Sequence, residues 1–235
     1  MPDARARPEA LSVTWALHDR AELPASLAWL APDERARLDA MRIAKRRDDF
    51  LLGRWTAKRA LAARLSPAPP LAELAIRAAA DGAPEAFLDG APLPLTVSLS
   101  HSAGRALAAV CAAPAALGAD LERVEPRSAL LVDEFFTAGE AAHIAACPPA
   151  GRAFAITLIW SAKESALKAR RTGLREDPRR VRVELGDAVP WPPREGWHPL
   201  QVTVDGTAGT LPGWWRDHGG YVLTLVGDAL LDRPA

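Results

Sequence analysis

Strand-like and helix-like segments come in separate runs along this 235-residue chain. A strand pattern opens the chain, two helices and a group of strands follow, and then the same order of helices and strands returns. The segments span 11–17 (strand), 25–65 (helices), 75–124 (strands), 129–146 and 152–171 (helices), and 181–185, 200–204 and 221–226 (strands). Because runs of helix and runs of strand do not alternate strictly, the sequence predicts an α+β fold.

Turn signals and strand patterns predict how the first strands are connected. Asp81-Gly82 favours a tight turn, which predicts a hairpin within 75–88. The segments 95–99, 106–112 and 117–124 are predicted to form one antiparallel meander that ends in an acidic pair. The two halves of the chain follow a similar plan, but no direct repeat is evident, so an internal duplication is a hypothesis.

Composition excludes several classes of partner. Lys plus Arg and Asp plus Glu both number 29, so no overall field attracts nucleic acid or a membrane surface. No window approaches the roughly 18 apolar residues that a membrane helix needs. The segment 1–8 lacks the apolar core of a signal peptide, and Cys111 and Cys147 are predicted to be free thiols. We therefore expect a cytoplasmic protein that holds any polyanion through a local cluster.

Two acidic motifs lie about forty residues apart. Asp120 and Glu122 are two apart on a predicted strand, so both carboxylates point to one side of it. Glu164 and Lys168 are four apart on a predicted helix and share a face. Oxygen ligands of this kind suit Mg²⁺ or Mn²⁺, and the lysine suits a phosphate-bearing substrate. The alternative is that Asp120 and Glu122 end a surface strand and that Glu164 forms an exposed salt bridge with Lys168.

Two further segments are compatible with phosphate binding. His101 closes the strand Val97–Ser102, where it could donate to a phosphate or simply stabilise a turn. Arg47, Arg54 and Lys58 fall on one face of a helix, which could receive a terminal phosphate or be a solvated face. The alternatives are left open by the residues alone.

Four motifs in order and spacing resemble the Sfp-type 4′-phosphopantetheinyl transferases. The resemblance covers roughly residues 45–170. The motifs are Leu99-Ser100-His101-Ser102, Gly118-x-Asp120-x-Glu122, Phe135-Phe136-Thr137-x-x-Glu140 and Trp160-Ser161-x-Lys163-Glu164-Ser165-x-x-Lys168. The resemblance implies a pseudo-twofold α+β fold of two similar halves, each with a small antiparallel sheet packed by helices. The halves would be 1–115, on the adenosine and 3′-phosphate side of coenzyme A, and 116–235, on the magnesium and catalytic side, with the active site between them.

The resemblance also implies a role for each motif residue. Asp120, Glu122 and Glu164 would hold Mg²⁺, with Asp120, Glu164 and Lys168 as the catalytic set. The predicted contacts to coenzyme A come from the remaining residues and from Lys168 itself, namely Arg47, Arg54, Gly82, Ser100, His101, Lys163 and Lys168. Family members often carry Gly-Lys-Pro before the Ser-His strand, whereas this chain has Gly82-Ala83-Pro84, which leaves only a main-chain contact there.

The implied reaction is transfer of the 4′-phosphopantetheine arm of coenzyme A to a serine of an acyl- or peptidyl-carrier protein, with release of 3′,5′-ADP. This is holo-[acyl-carrier-protein] synthase type chemistry by an expected monomer. Two other functions are compatible with the residues: a Mg²⁺-dependent phosphohydrolase that activates water with the same carboxylates, and a non-catalytic relative that binds carrier proteins.

Overall fold

The computed structural model of the chain describes residues 10–185, 191–229 and 231–235; the expectation about a signal peptide rests on residues outside these ranges. The first half contains β1 (Thr14–Asp19), α1 (Pro32–Asp39), α2 (Ala44–Arg64), β2 (Leu74–Ala78), β3 (Pro84–Leu88), β4 (Ala91–Ser102) and β5 (Arg105–Ala112). The second half contains β6 (Leu117–Arg123), α3 (Ala129–Phe135), α4 (Ala138–Ala146), α5 (Arg152–Ala169), β7 (Val181–Glu184), β8 (His198–Val204), β9 (Thr210–Asp217) and β10 (Tyr221–Gly227).

The strands form two five-stranded antiparallel sheets with the same internal order. The first sheet has the order β1-β5-β4-β3-β2, and the second has the order β6-β10-β9-β8-β7. The first strand of each half therefore pairs with the last strand of the same half. This confirms the predicted α+β fold of two similar halves, while their division into domains 1–115 and 116–235 stays a prediction.

The apolar core consists of three interfaces: one between the two sheets and one between each sheet and its long helix. Between the two sheets, Leu107 of β5 packs in one cluster with Leu121 of β6 and Leu223 of β10. On the outer face of the first sheet lies α2, and on the outer face of the second sheet lies α5. Alternate residues of β6 consequently face opposite sides: one set faces the core between the sheets and the other faces α5.

Two sequence expectations about strands need correction. The predicted meander is wrong, because β6 pairs with β10 in the second sheet and not with β5. Both edges of β5 are already occupied by β1 and β4, so no edge remains for β6. The strand β9 was not predicted, since Pro212-Gly213 and two adjacent tryptophans hide any alternation of polar and apolar residues.

Each half is held together by a buried Glu–Lys ion pair. In the first half Glu34 pairs with Lys58, and in the second half Glu140 pairs with Lys163 at 2.9 Å between Oε2 and Nζ. The second oxygen of each glutamate accepts a main-chain N–H 2.9 Å away, from Ile76 in β2 and from Val183 in β7 respectively. These four side chains tie a short helix, a long helix and an edge strand together in the same way twice.

The two lysines lie in a short sequence repeat that was not recognised from the sequence. Trp55-Thr56-Ala57-Lys58 in α2 corresponds to Trp160-Ser161-Ala162-Lys163 in α5. The equivalent sheet orders and ion pairs make this four-residue match meaningful. Among the helices within the described ranges, none is long and apolar enough to cross a bilayer.

Candidate active site

The candidate site depends on a close approach between β6 and α5. Gly118 lies against the main chain of α5, and a Cβ atom at this position would be 1.8 Å from the carbonyl oxygen of Ser165. No other residue can occupy position 118 unless the helix moves, because main-chain atoms cannot yield as a flexible side chain can. The glycine thereby brings Glu164 and Lys168 of α5 beside the acidic residues of β6.

Asp120 is buried at the centre of this contact, with 3% of its surface exposed. Its Oδ1 atom accepts hydrogen bonds from Lys168 Nζ at 2.6 Å and from Ser100 Oγ at 2.7 Å. Its Oδ2 atom is buried and has no hydrogen-bond partner within the described part of the chain. Because a buried carboxylate oxygen without a partner costs free energy, this atom marks a position for a ligand.

Glu122 and Glu164 share the site with Asp120, and each has an altered pKa. Burial raises the pKa of Glu122, and the charge of Asp120 raises it further against the opposing effect of Arg127. Burial also raises the pKa of Glu164, as do the charges of Asp120 and Glu122, while Lys168 opposes the shift. The three side chains, named here the carboxylate cluster, therefore lie close enough to repel one another.

The surface alternative for these residues is wrong. Asp120 does not end an exposed strand, since its side chain is buried on the face of β6 that packs against α5. Lys168 makes its ion pair with Asp120 and not with Glu164 on its own helix. The helix thus uses its lysine to neutralise a carboxylate of the neighbouring strand.

A metal site in the carboxylate cluster stays a prediction. No group of three or more His, Cys, Asp or Glu side chains in the residues that the structure describes is arranged to hold a metal ion. The donor set nevertheless fits a hard divalent cation, because it offers carboxylate oxygens and includes the unpartnered Oδ2 of Asp120. Mutual repulsion among the three carboxylates favours the same kind of ion.

Three alternate serines of β4 connect the first half to β6. Ser98 Oγ accepts the main-chain N–H of Ala119 at 2.8 Å, and Ser100 donates to Asp120 as described. Ser102 Oγ lies 3.4 Å from Glu122 Oε2 and accepts the main-chain N–H of Arg123 at 3.2 Å. This serine seam, formed by Ser98, Ser100 and Ser102, makes the first half part of the site.

Ser98 and Ser102 were missed as candidate residues. Their signal was present in the sequence as a serine at every second position of the strand, which places all three on one face. His101 falls on the opposite face of the same strand and is exposed. Its predicted contact with coenzyme A stays a prediction.

The phosphate-binding role predicted for Lys163 needs correction. Its side chain is fully buried and pairs with Glu140, and its Nζ atom also donates to the carbonyl oxygens of Pro178 and Val181. Adjacent residues of a helix point in directions about 100° apart, so Lys163 cannot share the face of Glu164. Lys163 is a structural residue of the second half.

The two arginines predicted to bind coenzyme A are not brought to the carboxylate cluster. The guanidinium of Arg47 donates to the carbonyl oxygens of Leu38 and Met41, between α1 and α2. Arg54 has 13% of its side chain exposed, and its Nε atom lies 3.5 Å from Glu34 Oε1. Burial lowers the pKa of Arg54. Both residues have structural partners here, and contact with a phosphate stays a prediction.

A cavity of about 710 Å³ lies between the two halves and adjoins the carboxylate cluster through Lys168. Its lining includes Gly82, which has a φ of +90° in the exposed turn between β2 and β3. Arg171, just beyond α5, crosses to this turn and binds Asp81 Oδ2 through Nε at 2.7 Å. Arg175 donates to the main-chain oxygen of Asp81. Two arginines of the second half thus contact the turn between β2 and β3. At this turn the family often has a lysine, whereas this chain has Ala83.

Comparison with known proteins agrees with this arrangement. Residues 116–225, which extend from the start of β6 into β10, match the family described as the 4′-phosphopantetheinyl transferase superfamily. No curated protein matches the chain. The resemblance seen in the sequence is confirmed at the level of the superfamily, and the Sfp type stays a prediction.

Proposed function

From the match of residues 116–225 to the 4′-phosphopantetheinyl transferase superfamily we propose that the chain modifies carrier proteins. It transfers the 4′-phosphopantetheine arm of coenzyme A to a serine of an acyl- or peptidyl-carrier protein and releases 3′,5′-ADP. We also propose that the protein acts as a cytoplasmic, magnesium-dependent monomer.

One observation carries this proposal: the carboxylate cluster of the second half meets a hydroxyl of the first half. Asp120 Oδ1 is bonded at once to Lys168 of α5 and to Ser100 of β4. Acidic, basic and hydroxyl groups from three separate segments therefore converge on one buried point. Such a set suits a reaction in which charge on phosphate oxygens must be balanced.

The cavity beside Lys168 has the size and lining for the nucleotide of coenzyme A. Its volume of about 710 Å³ is within the usual range for small-molecule sites. Apolar side chains of β4, among them Leu93 and Leu95, can contact a purine ring, and Arg171 and Arg175 line the same cavity as Lys168. We therefore place the adenosine part in this cavity and the diphosphate near Lys168.

The reaction needs a base and a cationic side chain, and the site offers both. The serine oxygen of the carrier protein attacks the phosphorus that bears pantetheine, and the bond from that phosphorus to the oxygen of 3′,5′-ADP breaks. Glu164 accepts the serine proton. Lys168 balances charge that develops on the leaving phosphate.

A divalent cation would be held by Asp120, Glu122 and Glu164. The Oδ2 atom of Asp120 is the position that most clearly lacks a protein partner. When bound, Mg²⁺ would withdraw charge from the phosphate oxygens and so favour departure of 3′,5′-ADP.

Mass spectrometry of a carrier protein tests the proposal. The chain is incubated with an acyl- or peptidyl-carrier protein, coenzyme A and Mg²⁺, and the carrier should gain the mass of one phosphopantetheine arm. The Asp120→Asn variant should give no gain while its circular dichroism spectrum stays that of the wild-type fold. Release of phosphate without a change in the carrier would indicate a phosphohydrolase, and binding of a carrier without either product would indicate a non-catalytic relative.

A further inference from the structure

Arg127 holds the outer carboxylate of the cluster. Its Nη2 atom lies 2.8 Å from Glu122 Oε2, and 22% of each side chain is exposed. The residue lies in the irregular segment between β6 and α3, and the resemblance assigned it no role. We propose that Arg127 competes with the divalent cation for Glu122 and, once displaced, binds the diphosphate of coenzyme A. This inference rests on the proposed function.

The charges around the cluster support such an exchange. Lys168 is paired with Asp120, and Arg127 is paired with Glu122. Across the ranges that the structure describes, Glu164 has no ion-pair partner. Two cationic side chains therefore face three carboxylates, which leaves the cluster with an excess of negative charge. A bound divalent ion would change this to an excess of positive charge. Because that ion would repel a guanidinium bonded to the same carboxylate, Arg127 is the partner that must yield.

Arg127 yields more readily than Lys168. Lys168 donates to the main-chain oxygen of Ala119 as well as to Asp120, which is the more deeply buried acid. The further contacts of Arg127 are longer: 3.4 Å to the carbonyl oxygen of Arg123 and 3.9 Å to a carboxylate oxygen of Glu125. Long contacts of this kind are weak, so Glu122 is its main partner.

The guanidinium of Arg127 also has binding capacity that the protein does not use. Its Nε atom is buried and has no hydrogen-bond partner among the described residues. A guanidinium presents a planar fork of donors that matches two oxygens of a phosphate. An arginine whose Nε lacks a protein partner beside a phosphate-transfer site is suited to a ligand of this class.

Arg123 provides a matched control. It is an exposed arginine four residues earlier, at the end of β6, and its side chain takes part in no ion pair within the described ranges. Replacement of Arg123 removes the same charge from the same region without removal of a contact to the cluster. Effects common to both variants are then effects of net charge.

Two binding measurements test the exchange without turnover. Isothermal calorimetry measures the affinity for Mg²⁺ alone, and then the affinity for coenzyme A at saturating Mg²⁺ without a carrier protein. In Arg127→Met the affinity for Mg²⁺ should rise about threefold to tenfold, since the competing cation is gone, and the affinity for coenzyme A should fall about tenfold. Arg127→Lys should restore part of both affinities, and Arg123→Met should stay within about twofold of the wild type.

Opposite changes in the two affinities are the signature of exchange. A fall in both would mean that Arg127 only orients Glu122, and no change in either would mean an ordinary surface ion pair; each result overturns the inference. Failure of the wild-type protein to bind Mg²⁺ also overturns it. The carrier assay is independent: absence of transfer by a protein that shows the opposite affinity changes would refute the proposed function and leave the exchange intact.

Discussion

The two halves of the molecule share one structural frame and differ in what stands next to it. In both halves a buried lysine of the long helix pairs with a glutamate of the short helix. Lys58 is followed by Arg59 in the first half, whereas Lys163 is followed by Glu164 in the second. The ion pair is therefore part of the common scaffold, and the chemistry depends on the next residue along the helix.

The similarity extends to the groups around each lysine. Lys58 donates to the carbonyl oxygen of Trp29 at 3.0 Å and lies 5.6 Å from the centre of its ring. Lys163 donates to the carbonyl oxygen of Pro178 at 3.0 Å and lies 5.7 Å from the ring centre of Phe136. A lysine that looks like a phosphate ligand in the sequence is thus the second copy of a scaffold contact.

This comparison of the two halves predicts that the largest effect on activity comes from the residues that directly follow the two lysines. Glu164→Gln should lower the rate of pantetheine transfer by about 10²–10⁴-fold, because the amide cannot accept the serine proton. Arg59→Gln should leave the rate within about twofold, since Arg59 is exposed on the other helix and contacts the ring of Trp55. Transfer is measured by mass spectrometry at saturating coenzyme A. Equal losses in both variants would contradict a division of scaffold and chemistry.

The buried lysines should have the next largest effect. Lys163→Met leaves the buried Glu140 without its ion-pair partner and should lower the free energy of unfolding by about 3–5 kcal/mol. Lys58→Met should cost less, because Glu34 keeps a longer contact with Arg54. Urea denaturation followed by tryptophan fluorescence measures the change. The exposed pair of Arg35 and Asp39 is the control, with about 0–0.5 kcal/mol expected for Arg35→Gln. A small loss in Lys163→Met alone would show that this lysine is not structural.

Two glycines, one in each half, should respond with opposite signs. Gly118→Ala forces β6 and α5 apart and should lower the free energy of unfolding by roughly 1–3 kcal/mol, with loss of transfer activity. Gly53→Ala, within α2, meets no atom within 4 Å and should raise it by about 0.5–1 kcal/mol, because alanine is the better helix former. Thermal and urea unfolding of both variants decide the matter. A neutral Gly118→Ala would mean that the contact can relax.

The smallest effect is expected where the halves touch through Arg171. The hydrogen bond from Arg171 lowers the pKa of Asp81 to about 2. Because the pKa is lower in the folded protein, this contact stabilises the fold above the ordinary pKa of 3.8 and is lost as the pH falls towards 2. In Arg171→Gln an NMR titration of Asp81 should move towards 3.8. Asp177, whose pKa is lowered by Arg179, should not change.

Local patterns were sufficient to predict most elements and the acidic centre. The spacing of two in Asp120 and Glu122 and of four in Glu164 and Lys168 assigned these side chains to shared faces, and the folded chain places all four together. The hairpin at Asp81-Gly82 formed as its turn residues require. Information of this kind is carried by residues near one another in the chain.

Pairing between distant segments could not be predicted from those patterns. Whether β6 joins β5 or β10 depends on which sheet edges are free, and alternation within β6 is the same in both cases. The burial of Lys163 depends on Glu140, 23 positions earlier, and became visible only beside the equivalent pair in the first half. The role of Arg127 likewise depends on an irregular segment that has no period to recognise.

The serine seam has a consequence for the solubility of the protein. The strand β6 is the outermost strand of its sheet, and such a strand can recruit a strand from another molecule through its free N–H groups. The hydroxyls of Ser98 and Ser102 already accept the N–H groups of Ala119 and Arg123. The strand that bears the reactive acids is also buried along most of its length, so it offers little free edge for intermolecular β-pairing.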